Sequence, residues 1–154
     1  MTYDEMNELY GFEAICGFAL TEIQKLDIAT FFEWRWSLNR YEVGGGKTVV
    51  STAVSLMNSA DVTVVAVLPV LIPPWVRWLT RLQAAQGPVL EFKGTPTERK
   101  RMDLTKPRWI VMSHAIFRQD FDRIYKDLQG KNADLIVDEA HALKNPAFLP
   151  CKSL

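Results

Sequence analysis

The chain has little cysteine, no net charge and no long uninterrupted apolar run, and each shortage excludes something. Its two cysteines, Cys16 and Cys151, lie far apart, with neither a Cys-x-x-Cys pair nor a histidine at ligand spacing. Neither a zinc site nor a disulfide framework is suggested, and a reducing compartment fits. Eighteen basic residues balance eighteen acidic ones, so no global field draws the protein to nucleic acid or to a membrane surface. The longest apolar stretch, Val62 to Val76, is interrupted by Pro69, Pro73 and Pro74 and is too short to span a bilayer. The first residues, Met1-Thr2-Tyr3-Asp4-Glu5, are acidic where a secretion signal would be basic. Internal repeats and low-complexity segments are also lacking.

What remains is ordinary globular composition: 154 residues, 48% hydrophobic and 23% charged, enough for one domain with a sizeable core. The charge is uneven. From Tyr3 to Glu33 seven acids face one base, whereas from Lys93 to Arg108 six bases face two acids. A polyanion contact is expected on the second segment.

Two stretches carry chemistry. In Gly44-Gly45-Gly46-Lys47-Thr48 three glycines run into a lysine and a hydroxyl residue, and Val49 onward is apolar at helical spacing. Glycines let successive backbone N–H groups turn inward on an anion, and the helix opening at the lysine adds the positive end of its dipole. Lys47 is placed to reach the outer phosphates of a nucleotide, and Thr48 to put its hydroxyl on a magnesium ion. The strict phosphate-loop pattern wants a glycine where Tyr41 stands, so only the shorter Gly-x-Gly-Lys-Thr form is met. About 90 residues later, Leu135-Ile136-Val137 ends in Asp138-Glu139-Ala140-His141. An apolar run of this kind reads as a buried parallel strand, whose site lies just past its C-terminal end. Two adjacent carboxylates divide the labour of phosphoryl transfer: Asp138 holds magnesium, and Glu139 orients and deprotonates the attacking water.

Together these stretches resemble the Walker A and DEAH-type Walker B motifs of superfamily 2 helicases and translocases. The continuation Ala142-Leu143-Lys144-Asn145-Pro146 is similar to that of the Swi/Snf-type DNA translocases. The resemblance implies a RecA-like α/β domain with a mainly parallel sheet of about five strands flanked by helices. It implies ATP and Mg2+ as ligands, with Gln24, Gly44, Gly45, Gly46, Lys47, Thr48 and Val49 on the nucleotide and His141 coupling hydrolysis to movement. DNA is the implied partner, and the implied location is the cytoplasm or nucleoid, or the nucleus in a eukaryote, without a membrane. An RNA helicase is disfavoured by Leu143-Lys144-Asn145, and a nucleotide-binding interaction module without motor activity is the alternative.

Taken in order, residues 1–19 read as an acidic extension, helical over 3–10 and a connector from Gly11 to Ala19. Residues 20–154 read as a partial RecA-like domain. Thr21-Glu22-Ile23-Gln24 opens a helix to about Glu33 and has two readings. It is a capping box, with Thr21 as N-cap and Gln24 reaching back. It also resembles the family's glutamine motif, in which an amide hydrogen-bonds adenine with its donor and acceptor. The pattern then predicts a strand at 36–42, a helix from Lys47 to Asn58, a strand at 62–68 and a helix over 74–86. Trp75, Trp78, Leu79 and Leu82 on that last helix read as core.

Strands at 89–92 and 108–112, a capped helix from Pro96 to Met102, a helix over 115–128 and a strand at 133–137 complete the alternation. The family resemblance places strand-contacting residues after these strands, here Pro69, Ser113 and His114, with His114 where a tyrosine is usual. Lys93, Arg99, Lys100 and Arg101 are the candidate basic contacts, or a solvated basic face. The resemblance further implies that a working motor would need a second domain with its own arginines. These 154 residues are therefore expected to be an incomplete motor, prone to self-association.

Overall fold

The computed structural model describes residues 1–34 and 46–138. The expected strand at 36–42 lies outside the described residues. The chain divides into two compact units, residues 1–59 and 60–154.

In the first unit, α1 (Tyr3–Tyr10) is opened by a reciprocal cap. The Thr2 hydroxyl accepts from the Glu5 backbone N–H at 3.1 Å while the Glu5 carboxylate accepts from the Thr2 N–H at 2.8 Å. The expected connector is instead partly helical. A five-residue helix, α2 (Phe12–Cys16), forms between Gly11 and Gly17, and Phe12 at its start is fully buried. The glycines punctuate the chain as expected, but burial of one phenylalanine is enough to wind the residues between them. After α3 (Glu22–Trp34) comes α4 (Lys47–Met57), against which both α1 and α3 pack. Residues 1–19 are thus part of the first unit's packing. The Tyr3 hydroxyl donates to Glu13 at 2.8 Å, and the Lys25 ammonium lies 5.6 Å from the Tyr3 ring centre. The predicted apolar stripe of α4, namely Val50, Ala53, Val54 and Met57, is buried throughout.

The second unit is α/β, with a four-stranded sheet whose pairings are all parallel, flanked by helices and consistent with a RecA-like fold. Its strands are β1 (Val62–Val67), β2 (Val89–Glu91), β3 (Trp109–Ser113) and β4 (Ala133–Val137), in the spatial order β2-β3-β1-β4. Register is set by pairs such as Val65 with Val111 on one side of β1 and Val65 with Ile136 on the other. From β1 the chain crosses past β3 to β2 through a short 3-10 turn (Pro69–Leu71) and α5 (Ile72–Gln86). It returns to β3 through α6 (Pro96–Lys100), then crosses to β4 through α7 (His114–Gln119) and α8 (Phe121–Asp127). Parallel crossovers are right-handed in nearly all folds, and these run in opposite directions; with that hand α5 lies on one face and α7 and α8 on the other.

Central β1 is consequently buried on both faces along its whole length. Its even residues Val62, Val64 and Ala66 join Ile110 and Met112 of β3 against Phe117, Phe121, Ile124 and Leu128. On α5, Trp75, Leu79 and Leu82 are buried, as the helical spacing predicts, and each full burial of such an aliphatic side chain is worth about 1.5–3 kcal/mol. Trp78 is only half-buried, with the Arg81 guanidinium 5.7 Å from its ring centre.

The single helix expected over 115–128 is two helices broken at Asp120. The Asp120 carboxylate takes both Nε (2.8 Å) and Nη2 (3.1 Å) of Arg99. Ser113 caps α7, its hydroxyl accepting from the Ile116 N–H at 3.2 Å. Among the described residues no helix is long and apolar enough to cross a membrane.

Candidate functional site

In the first unit, Gly46 closes the glycine run and caps α4 with φ +88°. That conformation is open to glycine and strained for other residues. A Cβ built on Gly46 would lie 2.4 Å from Nε2 of Gln24, so the glycine also makes room for that amide. Gln24 is buried (7% exposed) and adopts the capping rotamer. Its Oε1 accepts from the Thr21 N–H at 2.8 Å, and its own N–H donates to the Thr21 hydroxyl at 3.2 Å. Two candidate nucleotide residues 22 positions apart are therefore in contact. Lys47 and Thr48 form the first turn of α4 and are partly exposed, whereas Val49 is buried. The Thr48 carbonyl takes the hydroxyl of Thr52 at 2.6 Å. Gly44 and Gly45 lie outside the described residues.

In the second unit, parallel pairing brings the ends of all four strands to one edge. Pro69 follows β1, Lys93 follows β2, Ser113 ends β3 with His114 after it, and Asp138 follows β4. Asp138 is anchored from three directions. Its N–H donates to the Ala66 carbonyl of β1 at 3.0 Å. Its carbonyl lies 2.8 Å from Nε2 of His114. A carbonyl can only accept, so Nε2 is the protonated nitrogen of that ring. Its carboxylate Oδ2 accepts from the indole N–H of Trp75 at 2.9 Å. Trp75 is a site-edge residue that the sequence reading placed only in the core. A donor-bearing aromatic in the first turn after β1 was the available signal, but its partner lies 63 residues away. His114, expected to touch nucleic acid, is buried and turned onto the Asp138 backbone. Glu139 and His141 lie outside the described residues.

The basic candidates separate. Arg99 is buried (4% exposed), and its donors are taken by Asp120, by the Gly94 carbonyl at 2.7 Å and by Gln119 at 3.4 Å. The Asp120 hydrogen bond raises the guanidinium above its ordinary value, against the opposing effect of burial. Arg99 is thus a structural cation that joins α6 to the break between α7 and α8, and not part of a solvated basic face. Lys100 and Arg101 are exposed. Lys93 is exposed and pairs with Glu91 at 3.3 Å.

Among the described residues no group of three or more His, Cys, Asp or Glu could hold a metal by itself. Thr48 in the first unit and Asp138 in the second each carry a hard oxygen donor of the type that Mg2+ takes. The sequence matches no family model, and no curated protein matches it significantly.

Proposed function

We propose that the chain is the ATP-binding portion of an ATP-dependent DNA translocase or helicase of the Swi/Snf type. The observation that carries this reading is the contact of Gln24 with Gly46 at the N-terminus of α4. It brings the glutamine and phosphate-loop motifs together where a helix opens with Lys47 and Thr48. The order of elements in the second unit supports it independently, since Asp138 follows a parallel strand at the edge where such sheets bind ligands. In this reading Lys47 would bind the outer phosphates, and Thr48 and Asp138 would each offer magnesium an oxygen. Gln24 would hydrogen-bond adenine on leaving the capping rotamer seen here, and Glu139 would take the proton of the attacking water. Bound magnesium would neutralise charge on the phosphates. Lys100, Arg101 and Lys93 would meet the DNA backbone, where charge rather than base identity matters.

Titration with a fluorescent ATP analogue, with and without magnesium, tests the reading. Lys47→Ala should weaken binding under both conditions, and Thr48→Ala chiefly the magnesium-dependent part. Unchanged binding in Lys47→Ala would sink the nucleotide assignment.

A further inference from the structure

We infer that Trp75 is a positioning residue for Asp138, holding that carboxylate in one orientation through its indole N–H. The inference rests on the reading above for what Asp138 does; the contact stands by itself.

Asp138 is pinned along its main chain at both ends, by Ala66 of β1 and by His114 at the start of α7. With the backbone fixed, two side-chain torsions remain, and a bond to one carboxylate oxygen restricts both. The Trp75 indole supplies that bond at 2.9 Å. It comes from a ring only 3% exposed in the first turn of α5, with Leu79 and Leu82 buried on the same helix. The donor is therefore a rigid one. Its acceptor is a carboxylate, and bonds to ionised acceptors are the stronger kind. A purely core role would need only an apolar ring at this place. The indole instead delivers its polar edge to the residue following β4, and an outer partner of this kind orients a metal ligand.

Trp75→Phe keeps a buried aromatic ring and removes the N–H. Where the smaller ring fails to fold, a benzothienyl-alanine isostere at position 75 keeps the indole shape without the donor. The measurement is the MgCl2 concentration giving half-maximal binding of a non-hydrolysable fluorescent ATP analogue, beside analogue binding without metal and the melting temperature. Trp75→Phe or the isostere should need on the order of 10-fold more magnesium, with metal-free binding unchanged. A lower melting temperature with unaltered magnesium dependence would show a packing role only and overturn the inference. Wild-type protein that binds no analogue under either condition would overturn the functional reading and this inference with it. An 15N-labelled spectrum gives a second readout. The indole N–H resonance absent from Trp75→Phe should move in Asp138→Ala and stay in place in Lys47→Ala; an unmoved resonance in Asp138→Ala would refute the contact.

Discussion

Replacing Gly46 by alanine tests whether the glycine at the N-terminus of α4 and Gln24 of α3 are physically coupled. Two costs arise at once. A residue with a Cβ held at φ +88° gives up about 1–2 kcal/mol of backbone energy. The new methyl would also stand 2.4 Å from Nε2 of Gln24, so the amide must leave. With it goes the bond from the Thr21 N–H to Oε1, worth about 0.5–1.5 kcal/mol. Gly46→Ala should therefore cost roughly 2–3 kcal/mol. Gln24→Ala alone loses the reciprocal bond to the Thr21 N–H, while the Thr21 hydroxyl still accepts from the residue 24 N–H, and costs about 1 kcal/mol. In the double variant no amide remains to be displaced, so only the backbone term of Gly46→Ala persists. Urea denaturation of the four proteins should give a double variant about 1 kcal/mol more stable than the summed single effects, above the roughly 0.3–0.5 kcal/mol scatter of independent sites. Strict additivity would refute the contact between Gln24 and Gly46, and with it the observation on which the nucleotide reading mainly stands.

Arg99 and Tyr3 give further expected outcomes. Arg99→Met leaves the Asp120 carboxylate without its bidentate partner and should destabilise by about 3 kcal/mol. Arg99→Lys should recover little of that, because an ammonium cannot span Asp120 and the Gly94 carbonyl as the guanidinium does. Lys100→Ala and Arg101→Ala, both at exposed positions, should stay within about 0.5 kcal/mol in the same urea experiment. Burial, then the bond to Glu13, raises the Tyr3 phenol well above its ordinary 10.0. Its folded-state value exceeds the unfolded one, so its contribution is full below pH 10 and is lost progressively as pH rises beyond it. Thermal melts from pH 9 to 11 should show a steeper loss of stability in wild type than in Tyr3→Phe; parallel curves would contradict the assignment.

Much of the fold was legible because it is written in local patterns. The strand predicted at 133–137 is in place, although it is only partly buried, with Leu135 exposed, where a buried strand was expected; Thr95-Pro96-Thr97-Glu98 caps α6 reciprocally, the Thr95 hydroxyl accepting from the Glu98 N–H at 3.2 Å. Strand periodicity, proline placement and caps act over three or four residues, so one sequence carries them. Where burial at a distance decided, local reading fell short. α2 winds where punctuation by glycines suggested a connector, and the helix over 115–128 breaks where Arg99 draws on Asp120. Of the expected sheet, four strands are in place and the segment 36–42 lies outside the described residues.

The candidate site divides in the same way. Residue type and order marked Gly46, Lys47, Thr48 and Asp138 as candidates, since the groups that can cradle phosphate and bind magnesium are few, and a resemblance to a known glutamine motif added Gln24. What each side chain touches was decided only by the tertiary structure. Arg99 looked like a neighbour of Lys100 and Arg101, yet lies inside, where a half-buried carboxylate 21 residues away claims its guanidinium. Trp75 looked like a core aromatic, yet its N–H meets Asp138 across 63 residues of chain. Composition and periodicity determine which face of a helix is buried, because that depends on spacing along one element. The partner waiting at a polar tip depends on how crossovers order the strands, and here the order β2-β3-β1-β4 sets β4 beside β1, from whose end α5 carries Trp75 to Asp138.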